Sequence, residues 1–198
     1  MNKIQDNTRF VRSASLWCMI GALIGIGGGI KEVLAPTVWG TPVSAMMQVL
    51  ALIANALALV GVIGLARSGM VGEGRLAKSS LGLALFASAL LLPLELYFIF
   101  NAEVGAMLLG LSALLQGLGL LMVGIAVIRT GRWHGWQRWT PLLCGLYTSL
   151  VLIPAVALSP GGYDTWALIG WQIPFLLLGL ALYQQGVAPS FKEITAGA

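Results

Sequence analysis

Charge is what this chain has least of: Asp, Glu, Lys and Arg together make up 9% of its 198 residues, against about 25% in an average soluble domain. That excludes a domain folding with water as its main solvent. Histidine is nearly absent as well. His134 is the single one, and it sits in a polar loop, so bis-histidine haem within a bundle and clustered histidine metal sites lack ligands. Cys18 and Cys144 are the only cysteines and form no Cys-x-x-Cys pair, which removes the usual disulfide-exchange motif. Each lies a few residues into an apolar stretch, as an ordinary buried thiol would. There is no Walker-type phosphate loop. No metal and no cofactor are expected, no catalytic residue stands out, and the balance is against an enzyme.

Hydrocarbon is abundant instead: 58% of residues are hydrophobic and the mean hydropathy is +0.90. Several apolar runs reach the ~20 residues that cross a ~30 Å hydrocarbon layer as helix. The pattern predicts an all-α polytopic integral membrane protein. Residues 1–198 form a single helical-bundle domain, with spans near 13–34, 43–66, 79–100, 104–128, 141–158 and 166–183. A transmembrane barrel would alternate in segments of about ten residues, whereas these runs are continuous and rich in Leu, Ala and Gly. The first run, between Arg9 and Arg12 on one side and "EVLAP" on the other, invites comparison with a secretory signal peptide. It exceeds the usual ~7–15 residues, and Lys31 and Glu32 precede the possible cleavage point, so it reads as an uncleaved first helix.

Charge sorts by side once alternate loops are assigned to opposite faces. Lys3, Arg9 and Arg12, then Arg67, Arg75 and Lys78, then Arg129, Arg132 and Arg138, and finally Lys192 hold ten of the 11 basic residues. Lys31 alone falls opposite, beside Glu32, Glu95, Glu103 and Asp164. The positive-inside rule then places both termini in the cytoplasm. The basic pI near 9.4 follows from topology and implies no nucleic-acid partner. The even-numbered helices end alike, in "VGVIGLARSG", "MVGIAVIRTG" and "LLGLALYQQG", which suggests three tandem helical hairpins. Left-handed glycine caps account for the same endings without a repeat.

Small residues recur every fourth position on three helices. Gly21, Gly25 and Gly29 line one face of the first, Ser80, Ala84 and Ser88 of the third, Ala102, Ala106 and Gly110 of the fourth. Such faces let helices approach closely in lipid. Tight packing within the chain is the expectation, homodimerisation the other use.

Glu95, in "LLLPLELYFIFNAE", is a carboxylate inside a span, ~7 Å below the outer end of its helix. On a helical wheel it falls within about 20° of the Ala84 and Ser88 stripe, so it faces the bundle. Gln48, Asn55 and Gln172 stand on other helices, with Lys31 and Glu32 at the end of the first, mostly in the same outer half. Pro93, Pro154 and Pro174 interrupt backbone hydrogen bonding at similar levels. The candidate ligand-binding set is Glu95, Lys31, Glu32, Gln48, Asn55 and Gln172. Pairing of Glu95 with Lys31, locking the first helix to the third, is the competing structural role.

The loop "RTGRWHGWQRWTP" carries Trp133, Trp136 and Trp139 with Arg132 and Arg138. These read as membrane-interface anchors, or as contacts to anionic lipid. In its six-span layout and its "GRWHGWQRW" ahead of an apolar span, the chain resembles small bacterial multi-pass membrane proteins of uncharacterised function. That resemblance implies a bacterial cytoplasmic membrane and no activity. "GLSA" at 110–113 is similar to the serine motif of rhomboid proteases, but no intramembrane histidine is present to activate Ser112, and no aspartate-rich head-group transferase motif occurs. Two functions are compatible with these residues. One is a binding or transport protein with a polar cavity open to the non-cytoplasmic side, taking a small molecule or ion. The other is an accessory or assembly subunit docking on another membrane protein through the glycine face of the first helix. The lipid bilayer is the expected partner in either case, and homo-oligomers are compatible with both.

Overall fold

Local chemistry fixes where each helix starts and stops. A computed structural model describes residues 3–159 and 164–187, and no strand occurs among them. The helices are α1 (Lys3–Leu34), α2 (Pro42–Arg67), α3 (Arg75–Phe100), α4 (Ala102–Thr130), α5 (Thr140–Tyr147), α6 (Ile153–Leu158) and α7 (Thr165–Val187). Thr41 caps α2 by accepting from the Ser44 N–H at 3.2 Å, with Pro42 in the first turn, where its missing donor costs nothing. Asn101 alone separates α3 from α4. Its extended backbone ends one helix, and its side chain accepts from the Val104 N–H at 3.2 Å to start the next. Gly131, at φ 63°, closes α4 in the left-handed conformation that favours glycine.

Six segments are long and apolar enough to cross a membrane: Asp6–Leu34, Pro42–Arg67, Arg75–Phe100, Ala102–Thr130, Gln137–Leu158 and Thr165–Gln185. The chain is therefore an all-helical, multi-pass membrane protein. Several helices begin earlier than hydropathy suggests. Helix α1 starts at Lys3, and α3 at Arg75. Hydropathy marks the hydrocarbon layer, whereas backbone hydrogen bonding continues beyond it into polar surroundings. The fifth span is composite: a 3-10 turn (Gln137–Trp139), α5, a π-helical turn (Thr148–Leu152) and α6. Pro154 is the second residue after the π turn. Its ring nitrogen gives no hydrogen bond to the carbonyl four residues earlier, and the backbone widens there.

Helix α1 packs between α2 and α7; α2 meets α3, α3 meets α4, α4 meets α5, and α5 meets α7. The helices thus form a closed ring in chain order, the last returning to the first. The α1 glycines make that return possible. A Cβ on Gly21 would lie 2.6 Å from Leu57 Cβ of α2, and one on Gly25 would lie 2.6 Å from Gln172 Cδ of α7. Gly29 meets Ile169 of α7 in the same way. All three contacts are inside the chain. Gly69 (φ 73°) and Gly131 end or follow their helices, but Gly186 lies within α7. Cap geometry therefore does not unite the three similar endings.

Large apolar side chains face outward on several helices, among them Leu23, Phe86, Met107 and Leu150, each more than half exposed. Lipid is the solvent in which such a surface carries no penalty. The basic end of the bundle is laced together by polar contacts. Arg132 Nη1 donates to the Gly69 carbonyl at 2.6 Å, Asn7 Nδ2 to the Arg67 carbonyl at 2.9 Å, Arg12 Nη2 to Tyr183 Oη at 3.1 Å. Trp133 corrects its expected role as an interface anchor. It is 3% exposed, and its indole N–H donates to Gln185 Oε1 at 2.7 Å, because the loop folds back over the end of α7. Trp136 and Trp139 remain exposed, the latter beneath the Arg138 guanidinium at 5.1 Å. Lys192 lies outside the described residues.

Candidate functional site

The opposite end of the ring is hollow. A cavity of about 760 Å³ reaches from Thr37 and Trp39 in the α1–α2 loop down to Asn55, Leu91, Ala113 and Leu152. Along α4 it runs from Ala102 to Ala113, or ~16 Å at 1.5 Å per residue, about half of a ~30 Å hydrocarbon layer. Below it the core is solid: Val62, Leu120, Val123, Leu178 and Leu182 are 0% exposed.

The small-residue stripe of α4 is a wall of this cavity and not a helix-packing face. Ala102, Ala106 and Gly110 all line it, and a Cβ on Gly110 would meet nothing within 4 Å. Helix α4 instead meets α3 through Gly105, whose Cβ would lie 2.7 Å from Phe98 Cα, and through Gly119, 2.7 Å from the Ala84 nitrogen. On the same seam Gln116 Nε2 donates to Ser88 Oγ at 2.7 Å. Fourfold spacing of small residues permits close approach; here no neighbour takes it up, and the missing volume becomes space.

Glu95 lines the cavity wall and is 8% exposed. Its Oε1 accepts from Asn55 Nδ2 at 2.8 Å, and its Oε2 takes no hydrogen bond from any described residue. The Lys31–Glu95 lock is not formed. Lys31 Nζ lies 3.4 Å from Glu32 Oε2 and donates to Thr37 Oγ1. Thr37 in turn gives its backbone N–H to Glu32 Oε1 at 2.6 Å and its hydroxyl to Oε2 at 2.7 Å. The loop after α1 folds back on the helix end, so Lys31 and Glu32 hold that loop. Of the six candidate residues, Glu32, Gln48, Asn55, Glu95 and Gln172 line the cavity, and Lys31 does not. Gln48 and Gln172 make no side-chain hydrogen bond among the described residues, so their amides are open to a guest. Gln172 lies across Gly25, which lets α7 bring that amide inward.

Three aromatic residues, not singled out by the sequence reading, complete the walls: Trp39, Phe98 and Trp171. Trp39 and Phe98 meet edge to face at 4.8 Å. Trp171 is fixed from behind, its indole N–H donating to Thr148 Oγ1 at 2.9 Å, while that hydroxyl donates to the Cys144 carbonyl at 2.8 Å. The π turn thus begins at the residue that anchors a wall of the cavity. Phe98 was foreshadowed only by its position three residues after Glu95, on one helical face. Trp39 and Trp171 carried no local signal beyond being aromatic. Ser112, of the rhomboid-like tetrapeptide, is 1% exposed and donates to the Ala87 carbonyl at 3.0 Å, so it joins α4 to α3.

Compared with protein-family models, curated proteins and solved structures, the chain has no match. Function is therefore argued from the site. Its volume falls in the range of small-molecule pockets, roughly 300–1,000 Å³, and its design is typical of them, apolar walls with few converging polar groups. Such an arrangement can bury a ligand's body and orient its polar end.

Proposed function

We propose that this protein binds a small molecule inside the membrane, admitting it from the non-cytoplasmic side through the mouth formed by the α1–α2 loop and the starts of α4 and α7. The observation that carries this reading is the buried Glu95–Asn55 pair lining a largely apolar cavity. A buried carboxylate with one oxygen lacking a protein partner is costly, and a guest that reaches it offsets that cost. Both termini then lie in the cytoplasm, as the distribution of basic residues supports, and the whole chain acts as one bundle domain. Transport would require the packed half below Asn55 to open, so the arrangement supports a bound state over a continuous pore. The accessory-subunit reading relied on a free glycine face on α1, and α2 and α7 already cover that face.

The test is native mass spectrometry of the protein released in mild detergent from the membrane in which it was made, beside Glu95→Gln and Gly110→Leu. The expected result is a defined small-molecule adduct on the parent protein that both variants lose at unchanged folded yield. Stoichiometric recovery with another membrane protein, indifferent to both substitutions, would overturn the proposal.

A further inference from the structure

Resting on that binding reading, we infer that the ligand class is a monovalent organic cation with a bulky apolar body. The cavity's charge is one-sided. Glu32, Glu95 and Glu103 line it, and no lysine, arginine or histidine among the described residues does. Glu32 is already balanced by Lys31 and held by Thr37. Glu103 is exposed at the mouth, in the first turn of α4, where the helix N-terminus favours a carboxylate regardless of any ligand. Glu95 is different. It is buried and lines the cavity between Leu91 and Phe98, and only its Oε1 is hydrogen-bonded, to Asn55.

Each ligand class meets these groups differently. An anion would be brought beside Glu95 with no cation to offset it. A neutral apolar guest would displace water and leave Oε2 without a partner in a dry site, which is costlier still for a charged group. A compact hydrated ion would find apolar walls and no cluster of ligating oxygens; no group of three metal-ligating residues exists among the described residues. A cation on an apolar frame satisfies all the surfaces together. Its charge lies near Glu95, where low dielectric strengthens the attraction. Its body fills the space opened by Ala106 and Gly110, among aromatic lining residues Trp39, Phe98 and Trp171 of the kind that attract cations. The unpaired amides of Gln48 and Gln172 accept or donate at the sides, which tolerates frames of differing shape.

Tetraphenylphosphonium tests this, against tetraphenylborate, which has the same shape and opposite charge, and against neutral triphenylphosphine oxide. The full chain in lipid nanodiscs is titrated with each, and binding to empty nanodiscs is subtracted. The expected result is saturable binding of the cation, at least tenfold tighter than the neutral compound, with no saturable binding of the borate. Glu95→Gln, which keeps the acceptor for Asn55, should weaken the cation at least tenfold and leave the phosphine oxide unchanged. Gly110→Leu should weaken both, because it fills the space. Equal affinity for cation and neutral compound, indifferent to Glu95→Gln but lost in Gly110→Leu, would overturn the cation assignment and leave the binding site standing. No saturable binding of any of the three, together with no adduct in native mass spectra, would overturn both.

Discussion

Asn55 and Glu95 hold each other inside the bundle, and each is 8% exposed. Removing one partner leaves the other buried without its hydrogen bond, whereas removing both with apolar groups of similar shape is close to neutral. Asn55→Leu should therefore lower stability by roughly 1–3 kcal/mol, read as the unfolding midpoint in mild detergent, and Asn55→Leu with Glu95→Met should recover most of the loss. A double variant as unstable as the sum of its parts would show that the two residues do not act as a pair. Glu95 itself was legible in the sequence, because a carboxylate within an apolar span invites attention. Its pairing was not. Asn55 stood in the candidate set with Glu95, but counted along the helices it is ~20 Å into α2 and Glu95 only ~7 Å from the end of α3, so the count alone does not pair them. Helical side chains tilt toward their own N-termini, and in these antiparallel neighbours that tilt brings the two together; a stagger between the helices supplies the rest. Lys31 misled for the opposite reason. Its charge suggested a long-range pair, while a threonine six residues on was within reach of both it and Glu32.

At the scale of the helix, the same residue type does opposite work at two points of α4. A Cβ at Gly119 would lie 2.7 Å from the backbone nitrogen of Ala84, which cannot step aside, while one at Gly110 would meet nothing within 4 Å. Gly110→Ala should thus be neutral or stabilising, by up to the ~1 kcal/mol by which alanine exceeds glycine in a helix, and Gly119→Ala destabilising despite the same gain. Thermal unfolding of the two variants side by side checks this, and equal shifts would contradict the packing described. Composition made the six spans legible, since each contains enough hydrocarbon to be seen without any partner. The use of a small-residue face was hidden, because periodicity reports that side chains are missing and not whether a neighbour or a void replaces them. The π turn was hinted at only by Pro154, and its link to Trp171 through Thr148 depends on α7, a separate stretch of chain.

For the molecule as a whole, the two ends differ in kind: one tied by arginine, asparagine and tryptophan hydrogen bonds, the other open around a carboxylate. Cys18 and Cys144 are both 0% exposed, so the natural chain should give little background to a membrane-impermeant maleimide. Val38→Cys, at a position 73% exposed in the α1–α2 loop, should be labelled in intact cells. Glu73→Cys, exposed in the α2–α3 loop, should be labelled only after permeabilisation. The reverse pattern would invert the orientation argued from the basic residues and turn the cavity toward the cytoplasm. The return of α7 to α1 also sets an order on biogenesis. Gln172 and Ile169 cover Gly25 and Gly29 only once the final span has left the ribosome, so until then the first helix presents a bare glycine seam to lipid or to the insertion machinery. The pocket is consequently complete only once α7 is in place, and a product truncated before α7 holds five spans and an unfinished wall.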